Sequence, residues 1–353
     1  MSKSPTVETI ASKAGVAKST VSLALRNSPK LLEATRANIQ RIARELGYRP
    51  NPLVSAQMAH IRRTKSLKSV TTIGFLNTWY DMTQDKRLKW EVMGRFHRGV
   101  KARVEELGFQ FEPLEFDISV YSKKRIEQIL ESRNIDALVL SPLRHSNARF
   151  EINWAPYALV SIGYFESYGN IHRVFYDSFK STETVLEIAQ SRGYKRIGFI
   201  TNREGEKRAG RLWSAGFLEF QERCVPVENQ VPLLRLNVPE AEFSGEETRQ
   251  IERWYRDYQP DVVISFLNRT FHCLESVGLR SPEDFSYISL LWLKELGDIA
   301  GYCQDLEKVG SAAVDIVVDR LFQNNRGMPN YPSSTLLTGE FKEGRTLRPP
   351  RGL

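Results

Sequence analysis

Apolar positions follow two rhythms along the 353 residues. Up to about residue 48 they recur every third or fourth position. Farther on, short runs apolar on both faces alternate with amphipathic stretches. The first rhythm predicts three short helices. In TVETIASKA, Val7, Ile10, Ala11 and Ala14 share one face and Thr6 stands at the N-cap. Gly15 breaks that helix. KSTVSLAL turns Val21, Ala24 and Leu25 inward, and ATRANIQRIARELG does the same with Ile39, Ile42, Ala43 and Leu46 before a stop at Gly47. Two prolines then restart the chain. Asn51 can cap, Pro52 suits a first helical position, and a helix of about two turns follows. A polar, basic linker runs on to Ser69.

The second rhythm starts at Val70. It predicts strands at 71–76, 136–141, 158–163, 196–201, 261–265 and 287–291. Helices are expected at 91–107, 123–132, 181–192, 209–223, 245–258 and 310–323. Strands apolar on both faces that alternate with helices predict a parallel sheet covered on both sides. ELGF (106–109) and SRGY (191–194) each end a helix at glycine and lead toward a strand. About 280 residues hold two such halves. Ligands of open α/β sheets sit at the carboxyl ends of the strands.

Charge separates the two regions. Residues 1–68 carry 13 Lys/Arg against 3 Asp/Glu, and the remainder carries 37 against 39. The basic excess belongs to the helical fifth, which points to a polyanion partner. The start of the chain lacks the apolar core of a secretory signal, and no run of about 18 apolar residues spans a membrane. Cys224, Cys273 and Cys303 are widely spaced and form no CxxC pair, which fits a reducing cytoplasm. No GxSxG, P-loop, GxGxxG or HExxH occurs, and the five histidines lack metal-ligand spacing. The expectation is therefore no enzyme, no catalytic residue, no metal and no cofactor.

Ala11, Gly15 and Val21 have helix-turn-helix spacing: a small residue for close approach, a glycine for the left-handed turn, and a valine that packs the second helix. TVETIASKAGVAKSTVSLALRN…TRANIQRIARELGYRPNP resembles the DNA-binding headpiece of the LacI/GalR transcriptional repressors. The similarity continues through RIGFIT, RLWSAGF, SPEDFSYISL and QDLEKVGSAAVDIVVDRL in the family's order. It implies an all-α helix-turn-helix headpiece (1–50), a hinge helix and linker (51–69), and a type I periplasmic-binding-protein-like α/β body (70–353). The body would divide into two doubly wound subdomains, about 70–175 with 304–336 and about 176–303 with 337–353. A homodimer on double-stranded DNA with a pseudopalindromic operator is implied, as is a small effector such as a sugar or sugar derivative. The rival reading is a cytosolic small-molecule binding protein that reads no DNA.

Carried over by position, Lys18 and Ser19 start the recognition helix, with Ser22 and Arg26 farther along and Asn27 at its end. Lysine reads guanine O6/N7. Leu23 stands where the family has a base-reading arginine, so an apolar contact to a thymine methyl is expected there. Gln57 takes the place of the hinge leucine that wedges into the minor groove, and Met58 beside it is the other candidate wedge. Thr6, Thr20 and Asn51 complete the expected DNA-facing set. In the body, Arg211 and Asn268 match effector-contacting positions, and Trp79, Tyr80, Tyr164, Phe243 and Trp292 bring rings toward the cleft. Gly163 and Leu291 replace two aspartates that hold sugars. That loss favours an acidic effector, paired with Arg211, over a free sugar.

Overall fold

In the computed structural model, residues 5–25, 28, 31–48, 71–78, 92–116, 120–143, 152–164, 169–238 and 243–349 are described. Three helices open the chain: α1 (Val7–Ala14), α2 (Lys18–Leu25) and α3 (Glu33–Glu45). Thr6 and Thr9 cap α1 reciprocally, each hydroxyl accepting the other's backbone N–H at 3.3 Å. Gly15 ends α1 at φ 65°, a left-handed turn that a side chain would strain. Ile10, Ala11, Val21, Ala24, Ile39, Ile42 and Ala43 form a closed apolar cluster. Gln40 Nε2 donates to the Ala24 carbonyl at 2.9 Å and ties α3 to α2. The expected hinge helix and linker at 51–69 lie outside the described residues.

The body holds two six-stranded sheets. The first contains β1 (Thr72–Asn77), β2 (Gln110–Glu115), β3 (Ile135–Leu140), β4 (Ala158–Ile162), β5 (Arg173–Tyr176) and β11 (Ser334–Leu337), ordered β11-β5-β4-β3-β1-β2. The second contains β6 (Ile197–Asn202), β7 (Leu234–Leu236), β8 (Val262–Ser265), β9 (Ser286–Trp292), β10 (Gly301–Cys303) and β12 (Glu340–Lys342), ordered β12-β10-β9-β8-β6-β7. Every pairing is parallel except β10 with β12. Each order reverses beside its first strand, and such a switch point opens a crevice beyond the carboxyl ends.

Helices α4 (Gly94–Glu106), α5 (Lys123–Ser132) and α11 (Leu306–Gln323) cover the first sheet. The second is flanked by α6 (Ser178–Ser191), α7 (Arg203–Arg208), α8 (Leu212–Cys224), α9 (Gly245–Tyr258) and α10 (Arg269–Ser276). The chain passes between the halves three times: from β5 into α6, from β10 into α11, and from β11 into β12. Helices α4 and α11 touch backbone to backbone, since a Cβ on Gly99 would lie 2.0 Å from the Glu307 carbonyl oxygen.

All six expected strands are present, within one residue at either end. Helix α11 begins earlier than its apolar rhythm suggests, because Asp305 caps it by accepting the Lys308 N–H at 3.1 Å. The stretch expected as one helix from 209 starts only at Leu212, because the short α7 and a left-handed Arg211 precede it. The strands missing from the sequence reading are short or lie at sheet edges. β2 is mostly solvent-facing, and β11 is exposed along three of its four residues.

Candidate DNA-reading helix and interdomain cleft

Helix α2 has two distinct faces. Val21 and Ala24 are fully buried against α1 and α3, while Lys18 and Ser19 are exposed and Thr20 and Ser22 half-buried. Leu23 is half-buried and stands outside the apolar cluster that takes in Val7, Ala14, Val16 and Leu25. Lys18 Nζ lies 2.6 Å from the Glu8 carboxylate, with both side chains open to solvent. Such an exposed pair contributes about 0–1 kcal/mol, which a guanine edge or phosphate can replace. The Thr6 hydroxyl is engaged at the α1 cap. Arg26, Asn27, Asn51, Gln57 and Met58 lie outside the described residues.

In the body, strand carboxyl ends from both halves meet across a cleft. Tyr164 follows β4 in the first half, and its backbone N–H donates to the Arg208 carbonyl of the second half at 3.2 Å. Its ring covers Gly210, where an added Cβ would meet ring carbons at 3.1 Å. The Arg173 guanidinium lies 5.4 Å from the centroid of the same ring. Asn268, half-buried, is held internally: its Oδ1 accepts from Ser289 Oγ at 2.9 Å and its Nδ2 reaches the Leu291 carbonyl at 3.4 Å. Phe243 is buried in the body core beneath Arg269, whose guanidinium stands 5.7 Å from its centroid. Trp292 is half-buried and donates its indole N–H to the Ile299 carbonyl at 2.8 Å. Arg211 is exposed at the start of α8 with φ 61°, its backbone N–H held by the Glu206 carbonyl at 2.7 Å. Trp79 and Tyr80 lie outside the described residues.

The structure brings forward residues that the sequence reading passed over. Trp213, two positions beyond Arg211, is sandwiched between Phe266 at 4.1 Å and Tyr176 at 5.8 Å, both stacked. Tyr176 comes from the first half; Trp213 and Phe266 come from the second. The Trp213 indole N–H is buried and has no acceptor among the described residues. An unmet buried donor costs about 1–3 kcal/mol. Arg208 is half-buried near Tyr176, and burial pushes its pKa down from the usual arginine value. The buried Glu206 carboxylate accepts from Thr201 Oγ1 at 2.9 Å and Ser214 Oγ at 3.0 Å. Burial raises its pKa, and those hydrogen bonds oppose the shift. The signal for Trp213 was an aromatic residue inside a motif already singled out. Tyr176 stands just before Asp177, the cap of α6, where chain crosses between halves.

A cavity of about 490 Å³ opens beside the three crossings. Arg95, Tyr176, Trp292 and Gln304 are among its lining residues. Arg95 of α4 donates to both Glu295 carboxylate oxygens at 2.8 Å and joins the two halves. Among the described residues no group of three His, Cys, Asp or Glu side chains could hold a metal ion, and no helix is long and apolar enough to cross a membrane.

Comparison with known proteins places this geometry. The sequence model described as "Bacterial regulatory proteins, lacI family" matches residues 6–51. The HTH-type transcriptional regulator PtxS of Pseudomonas plecoglossicida is 24% identical over 324 residues, covering 90% of this chain and 89% of that protein. The structure of the transcriptional regulator CelR in complex with cellobiose is similar over 97% of this chain and 99% of that one, with TM-score 0.58 and 18% identity. The Lac repressor dimer bound to operator and the anti-inducer ONPF is similar over 98% and 99%, with TM-score 0.55 and 17% identity. A three-helix headpiece with an outward α2 face, on a body of two doubly wound halves, matches those regulators throughout their length. The chain is therefore a DNA-binding transcriptional regulator whose residues 6–51 match the lacI family of bacterial regulatory proteins.

Proposed function

We propose that this regulator is a repressor that works in the cytoplasm as a homodimer. Two headpieces clasp a pseudopalindromic operator, and a small molecule in the interdomain cleft sets operator affinity. The observation that carries the DNA side is the division of α2, with Val21 and Ala24 packed inward and Lys18, Ser19, Ser22 and Leu23 left on the outer side. Lys18 leaves Glu8 to meet a guanine edge, and Leu23 packs on a thymine methyl. Thr6, Thr20, Arg26, Asn27 and Asn51 fix register on phosphates, and Gln57 or Met58 meets the minor groove at the centre. The operator-bound dimer of the Lac repressor and the cellobiose complex of CelR support these two roles in a chain of this architecture.

The effector acts only through unequal affinity for two cleft states. Tyr164 to Arg208 and Arg95 to Glu295 are the contacts that such a change would make or break. Neither the cleft nor the headpiece is assigned a catalytic role. Selection from random DNA duplexes with the full chain, followed by anisotropy titration, tests the reading. A two-fold symmetric site with a T·A pair opposite Leu23 is the expected result. Sequence-blind, salt-sensitive binding with and without metabolite pools would overturn it.

A further inference from the structure

We infer that Glu8 of α1 is a base-reading residue: with Lys18 it reads one G·C pair, the lysine taking the guanine and the carboxylate taking the N4 amine of the paired cytosine. This inference rests on the reading of α2 above and brings α1 into the recognition surface.

The place of the acid is the starting observation. Residues 1–68 carry 13 Lys/Arg and only three acids, Glu8, Glu33 and Glu45. Glu45 pairs with Arg41 within α3, and Glu33 sits in the first turn of that same helix. Glu8 instead reaches across from α1 to the first residue of α2. Its Oε1 lies 2.6 Å from Lys18 Nζ, and the two side chains are 72% and 62% exposed. Neither belongs to the apolar cluster of the headpiece. A carboxylate on a surface that meets phosphates weakens binding to every DNA sequence alike. Glu8 costs affinity unless the DNA returns a donor to it.

One base pair does so. When Lys18 turns to guanine O6 and N7, Glu8 loses its counter-charge in front of a polyanion. In a G·C pair the cytosine N4 amine gives one hydrogen to O6 and turns the other into the major groove. Amine and O6 are therefore one hydrogen bond apart, about 2.9 Å. The lysine donor and the glutamate acceptor stand 2.6 Å apart, so donor meets acceptor and acceptor meets donor along the same edge. The two charges exchange each other for one base pair, and neither is left unmet. The other pairs fail. C·G sets amine against ammonium and O6 against carboxylate, and A·T also sets an amine against the ammonium. T·A presents O4 and N6 in the right order but brings the adenine N7 acceptor to the carboxylate side.

The test uses the full chain and the symmetric site returned by the selection above. Two base analogues are walked through every G·C pair of a half-site, and anisotropy reads affinity. N4-methylcytosine keeps its pairing with guanine but blocks the groove-facing hydrogen. 7-Deazaguanine removes the N7 that lysine reads. At one pair N4-methylcytosine should cost the unaltered chain about tenfold in affinity, and Glu8→Ala should be indifferent to it there. The substitution falls on an exposed side chain, so headpiece melting should hold. On scrambled DNA the same variant should bind more tightly, with the slope of log affinity against log salt steeper by about 0.9, because the Lys18 charge is released to phosphates. Equal N4-methyl losses in the two proteins would overturn the assignment, since the methyl group then merely obstructs. Tolerance of N4-methylcytosine at every pair, beside a penalty for 7-deazaguanine, would also overturn it and leave guanine reading by Lys18 standing. Tolerance of both analogues at every pair would overturn the two base contacts together, with the symmetric operator intact.

Discussion

The headpiece and the cleft teach different lessons about how a binding surface is built. In the headpiece one helix does both jobs: Val21 and Ala24 hold α2 in place, and their neighbours Lys18 and Ser19 are exposed. Everything needed lies within a few residues of chain. In the cleft the partners are far apart in sequence. Arg95 meets Glu295, Tyr164 meets Arg208, and Tyr176 meets Trp213. A local surface is fixed by local packing; an assembled one depends on how two halves are held.

That contrast breaks most clearly at Val21. Val21→Asp places an unpaired charge in a core of seven small side chains, and several kcal/mol are lost. Such a small domain has little reserve, so DNA affinity should fall by roughly 100-fold or more, measured by anisotropy. The melting of the body, followed by calorimetry, should not move. Glu206 is the matching test in the cleft. Glu206→Ala leaves the Thr201 donor unmet and should destabilise the body by about 1–3 kcal/mol in urea titration, with the headpiece untouched.

Glu206 also sharpens the comparison through pH. Its pKa is raised in the native state by burial, so the native chain holds this proton when the unfolded chain has released it. Its contribution is therefore greatest below the ordinary carboxylate range and is lost as pH rises toward the raised value. Glu206→Gln should flatten that part of the stability-versus-pH curve, read by denaturant midpoints at successive pH values. Thr6→Ala removes a reciprocal cap and should lower headpiece stability by about 1 kcal/mol, seen in the headpiece transition alone. The smallest effect belongs to Glu295→Gln. Its partner Arg95 is 23% exposed and Glu295 51%, so the loss should be about 0.5 kcal/mol, fading with salt. Exchanging the two charges in one double variant should restore it.

The headpiece was readable because its signals are local: Thr6, Gly15, the inward triad of Ile10, Val21 and Ile39, and a basic excess. The strands of the body were readable because they are apolar on both faces, as β1, β4 and β8 are. The edge strands were not, since solvent on one side erases that signature. In the cleft, sequence reasoning fixed on Arg211, which is exposed, and passed over Trp213 two residues on. No periodicity separates those two. What distinguishes them is the left-handed turn at Arg211 and the rings of Tyr176 and Phe266, which come from other parts of the chain. Arg208 and Arg173 were visible, but not that the backbone carbonyl of the first and the guanidinium of the second meet at one Tyr164.

The threefold passage of the chain between the halves has a consequence for synthesis. On the ribosome, β1 to β5 emerge first, but their edge strand β11 and the helix α11 packed on α4 come only after the whole run from β6 to β10. The second half has nearly all of its strands before the first has the last of its covering helices. The half made earliest thus waits for its last helix and edge strand until β6 to β10 have been made, and a stop codon between residues 303 and 306 would remove α11 and β11 from it while sparing five of the six strands of the half made later.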